Sequence, residues 1–93
     1  MPWTVQLENE SGEPIDAEHI VVEFHSLPVG DRFPICTLIE AAPYYDTLLN
    51  PVQIEKFIAE LDAAKDVSPG NLSPLRSLAV RGGVHINLRF IGD

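Results

Sequence analysis

Trp3, Val5 and Leu7 alternate with Thr4 and Gln6, the period of a half-buried strand, and the polar run from Glu8 to Pro14, with Gly12 inside it, predicts a turn. Ile20 to Phe24 is rich in β-branched and aromatic residues, which predicts a second strand over Glu18–His25. A short helix around Ala17 is the competing reading. Two prolines and a glycine make Ser26 to Pro34 a loop, and the nearly all-apolar run Ile35–Glu40 predicts a third, central strand ended by Pro43.

The clearest pattern follows. Asn50 reads as a helix N-cap and Pro51 as the first helical residue, where a missing N–H costs nothing. Gln53 stands where its side chain can return to the cap backbone, and Leu49 and Ile54 occupy the two positions of a hydrophobic staple. Ile54, Phe57, Ile58 and Leu61 then recur at helical spacing, so this helix, expected over Pro51–Lys65, buries one face and turns Glu55, Lys56, Glu60 and Asp62 to water. Asp66 to Leu72 is a loop. Ser73-Pro74 opens a shorter helix with Leu75, Leu78 and Ala79 inward, and Gly82-Gly83 stop it. Val84, Ile86, Leu88 and Phe90 alternate with His85, Asn87 and Arg89, which predicts a final strand, interior to the sheet.

The expected order is therefore βββααβ. Segregated strands and helices predict an α+β fold: a small, mostly antiparallel sheet covered on one face by two helices, built as a single domain over residues 1–93.

Charge changes this picture more than size does. The net charge is −8, and residues 1–31 hold seven acids and no Lys or Arg. Residues 67–92 hold Arg76, Arg81 and Arg89 and no acid. Such a chain lacks a phosphate-neutralising stripe, which argues against nucleic acid and favours a basic protein surface as partner. Acidity that only keeps the domain soluble is the plainer explanation. No apolar run approaches the roughly 18 residues of a membrane span and no signal-peptide layout opens the chain, so no membrane association is expected and the cytoplasm is the expected compartment.

Candidate chemistry is sparse. Cys36 is the lone cysteine, so no internal disulfide or cysteine zinc site can form, and it reads as a buried strand thiol. His19, His25 and His85 have no metal-ligand spacing. A Cys36, His85 and Asp46 triad can be written down, but a thiol in an apolar run should be unreactive. No residue is assigned a catalytic, metal or cofactor-binding role, and no cofactor is expected. Tyr44, Tyr45 and Asp46, just upstream of the capped helix, read as a partner-binding lip if exposed, or as an Asx-type turn with tyrosines filling the sheet edge. His85 is expected on the polar face of the last strand, met by a cross-strand partner, and is the fourth candidate contact.

Tyr44, Asp46, Thr47, Asn50 and Gln53, together with His85, Leu88, Phe90, Gly92 and Asp93, form two motifs. These resemble the D-T-x-x-N-x-x-Q helix start and the H-x-x-L-x-F-x-G-D terminal strand of small uncharacterised bacterial proteins of comparable length. The resemblance implies a fold and no activity; Pro51 departs from it, where a basic residue is common. The expected function is a non-enzymatic, acidic protein-binding module, an immunity-type inhibitor being its narrowest form. The alternatives are a small-molecule binder or enzyme with a pocket around His85 and Asp46, and a structural homo-oligomer such as a homodimer.

Overall fold

The computed structural model describes residues 2–42, 45–64 and 72–92, with backbone alone at 16–18. Its elements are β1 (Pro2–Glu8), β2 (Pro14–Glu23), α1 (Pro34–Ala41), β3 (Thr47–Leu49), α2 (Pro51–Ala63), α3 (Ser73–Ala79) and β4 (Asn87–Ile91). All three strand pairings are antiparallel and the sheet order is β2-β1-β4-β3, so the last strand is interior. The α+β class and the antiparallel sheet agree with the sequence pattern. Tyr44 and nearly all of the 66–72 loop lie outside the described residues.

The register assigns the faces, because directly opposed residues in an antiparallel pair share one side. Trp3 opposes Val22, Val5 lies between Ile20 and Phe90, and Leu7 and Leu49 flank Leu88. These form the inner face. α2 packs there against β3 and β4, and α3 against β1 and β2, with Ile54, Phe57, Leu61, Leu75, Leu78 and Ala79 buried. Trp3, Phe90 and Phe57 meet edge-on in succession, with ring centroids 6.0 and 5.6 Å apart, joining sheet to helix.

The element order is ββαβααβ rather than βββααβ, because Ile35–Glu40 is helical. Pro34 occupies the first turn of α1, yet its N-cap, Phe33, supplies no side-chain hydrogen bond. The missing acceptor comes from α2: Glu60 takes the Ile35 and Cys36 backbone N–H groups, each at 3.0 Å. Glu60 is accordingly buried, 7% exposed, and does not face water as the helical pattern predicted. α1 is thus a third helix, packed on α2 outside the pair that covers the sheet.

Other boundaries move for local reasons. β2 ends at Glu23, since His25 is left-handed (φ 67°) and its N–H is held by Glu40 Oε1 at 3.0 Å. β4 starts only at Asn87, because His85 is also left-handed (φ 65°), leaving Val84 exposed in a turn instead of alternating in a strand. The Asn50–Gln53 capping box of α2 forms in full, both bonds at 2.9 Å. α3 begins at Ser73 with Leu72 at the cap and no side-chain bond there.

Candidate functional site on the open face of the sheet

With the helices on one side, the alternate residues of every strand are left on the other. Val21, Thr4 and Ile91 form one cross-strand row, and His19, Gln6, Arg89 and Leu48 form the next. Val21 and Leu48 are exposed large apolar side chains on this face, and Tyr45, 74% exposed, stands beside the start of β3. Glu23, opposite Pro2, lies in the same alternate set, Asp46, just before β3, reaches Arg89, and Glu10 and Glu13 are exposed in the turn between β1 and β2.

The middle of the face is held by a polar cluster. Arg89 Nε donates to both oxygens of Glu8 at 2.8 Å, and Gln6 Nε2 donates to Glu8 Oε2 at 2.7 Å. Arg89 Nη1 also reaches Asp46 Oδ2 at 3.4 Å. Glu8 was expected in a solvated turn but is 2% exposed, because Arg89 and Gln6, its neighbours on the face, engage it. The hydrogen bonds that Arg89 donates to the Glu8 carboxylate, outweighing partial desolvation, raise the Arg89 pKa, so this guanidinium is charged whenever the protein is folded. A cation already shared between two carboxylates is poorly placed to act as a new electrophile.

The four candidate contacts fare differently. Tyr45 and Asp46 are exposed and adjacent to Leu48, while Tyr44 is outside the described residues. His85 is exposed, and its Nδ1 contacts Glu10 Oε1, so its partner comes from the β1–β2 turn. Glu8 opposes Asn87, which puts this pair beyond the first residue of β4, whereas Asp46 precedes Thr47, the partner of Phe90 near its other end. The register therefore separates His85 from Asp46.

Cys36 belongs to neither end. It is fully buried in α1, and burial, reinforced by the Glu60 carboxylate, pushes its thiol pKa far up, so the thiolate is disfavoured and the Cys36–His85–Asp46 arrangement does not assemble. Among the described residues no group of three His, Cys, Asp or Glu side chains is placed to hold a metal ion. Among the described residues, hollows occur elsewhere. One of about 380 Å³ lies between α2 and the α3 end, lined by Val52, Ile58, Val80 and Val84; another of about 480 Å³ is lined by His25, Arg32, Phe33 and Glu40. Neither includes Tyr45, Asp46 or His85.

The residues that sequence reasoning missed are Glu8, Gln6 and Arg89. The alternation of Arg89 with Leu88 and Phe90 does signal that it is on the polar side of β4, but its partners are visible only once β1 and β4 are known to be neighbours. The β3–β4 pairing sets Thr47 opposite Phe90, and the Asn50–Gln53 box follows β3 at once. No helix is long and apolar enough to cross a membrane among the described residues. Comparison with protein-family models, with curated proteins and with solved structures finds no match.

Proposed function

We propose that this chain is a non-enzymatic, acidic protein-binding module that applies the open face of its sheet, with the Tyr45-Asp46 lip, to a basic protein surface. The observation that carries this reading is the sheet face left bare by the helices, with Val21, Leu48 and Tyr45 exposed and carboxylates exposed at Glu10, Glu13, Glu23 and Asp46. Apolar anchors with an aromatic at the edge supply contact area, and the surrounding charge speeds encounter with a cationic partner. An inhibitor of the immunity type is the narrowest form of this function. The fixed Glu8–Arg89–Asp46 cluster supports it further, because a face whose charges are already locked is pre-organised and loses little entropy on docking.

The test is partner capture by the purified chain from lysate of its source cell, with two variants beside it. Leu48→Glu combined with Tyr45→Ala should abolish the main captured species, and raising the salt should weaken its capture. Val84→Asp, at the helical side of the molecule, should retain it. Retention by the face variant, or loss in the Val84 variant alone, would remove the open face as the binding surface.

A further inference from the structure

We infer that the free edge of β2 is a docking strand for an extended, basic polypeptide segment, which would lengthen the sheet beside the open face. The inference rests on the reading of the chain as a protein-binding module and names its partner's chemistry.

β2 is the terminal strand of the sheet and is ten residues long, about 33 Å at the usual rise per residue. It pairs with β1 on one side only among the described residues, so alternate residues aim their N–H and C=O groups outward. The opposite edge, β3, has three residues and offers little to a partner strand. Long edges are commonly blunted by proline, lysine, irregular pairing or a covering loop. In β2 the proline is only the first residue and the register shift lies toward that end, while Glu23 back to His19 pairs regularly with Pro2 to Gln6. Val21 within this regular half is exposed, an apolar contact for a side chain of an added strand.

Charge decides the occupant. Residues 13–23 include Glu13, Asp16, Glu18 and Glu23 and no Lys or Arg. A second copy adding its own β2 would set one acidic strand beside another, and like charges across a strand pair are destabilising. The same charges that exclude self-pairing favour Lys and Arg on an incoming strand, so attraction and rejection select the same class of partner. Backbone bonding gives the affinity in such strand addition, and alternate side chains give the preference.

The probe is a synthetic ten-residue peptide alternating Lys and Val, matched in length to β2. Titrated into the intact chain, it should slow amide hydrogen exchange within β2 and leave α2 and α3 unchanged. A peptide of identical sequence with alternate amides N-methylated keeps the charge but lacks strand donors, and should bind at least about tenfold more weakly. The exposed-site variant Glu13→Lys with Glu23→Lys should also weaken binding by about tenfold or more, without change in thermal unfolding. Equal binding of the methylated peptide, protection outside β2, or no binding of the basic peptide would each overturn the docking strand. The module reading is judged separately, by loss of the captured partner in the Leu48→Glu, Tyr45→Ala variant, so the two can fail independently.

Discussion

Among the described residues two carboxylates are hidden, one on each side of the sheet, and they are neutralised in different ways. Glu60, among the helices, accepts two backbone N–H groups at the start of α1 and takes the place of a cap that Phe33 cannot provide. The N-terminal end of the helix dipole favours this negative charge. Glu8, on the open face, is met by the guanidinium of Arg89 and the amide of Gln6. The first carboxylate joins two helices; the second fixes a cation on the open face of the sheet. A buried acid is therefore a structural part in both places.

The comparison can be broken first at Arg89. Arg89→Leu strands Glu8 without its cation and should cost about 3–5 kcal/mol in urea unfolding, whereas pairing it with Glu8→Leu should recover most of that loss. Failure of the double variant to recover would mean that the cluster contributes more than charge balance. Glu60→Ala comes next, leaving two amides of α1 unmet, for about 3 kcal/mol, with Glu60→Gln losing less because one acceptor oxygen remains. Loss of helical circular dichroism in excess of stability would locate the damage in α1.

A sharper distinction uses pH. Burial raises the Cys36 thiol pKa above its ordinary value of 9.0. The thiol is protonated in both states below that value; above it the unfolded chain loses a proton that the folded chain keeps. Stability should fall with rising alkalinity by about 1.4 kcal/mol per pH unit, and Cys36→Ala should lack this component of the slope. Parallel curves for the two proteins between pH 9 and 11 would disprove the assignment. The smallest effect is at the box on α2, where Asn50→Ala should cost about 1 kcal/mol by thermal unfolding and leave partner capture unchanged.

These contrasts also explain what was legible in the sequence. The start of α2 was readable because cap, proline and Gln53 are all within four residues of each other. α1 was not, since its apolar run Ile35–Ile39 fits a strand equally well and its cap acceptor, Glu60, stands 24 residues beyond Cys36. β3 was invisible for another reason: three residues are too few to display a period. On the candidate site, Tyr45 and Asp46 could be singled out from their place before a capped helix, and both are exposed. The Arg89–Glu8 pair could not, because the two residues are 81 positions apart and only the strand order unites them. His85 was expected within a strand, but no local residue pattern announces its left-handed turn.

The interior position of β4 has a consequence in time. β1 and β2 can close as a local hairpin, but among the described residues β3 pairs with β4 alone, and β4 follows the other described elements in sequence. During synthesis the sheet must therefore wait for residues 87–91, and the edge of β1 that runs from Thr4 to Glu8 stays unpaired until then. Slow, long-range closure of this kind sets the folding rate more than it sets the final stability.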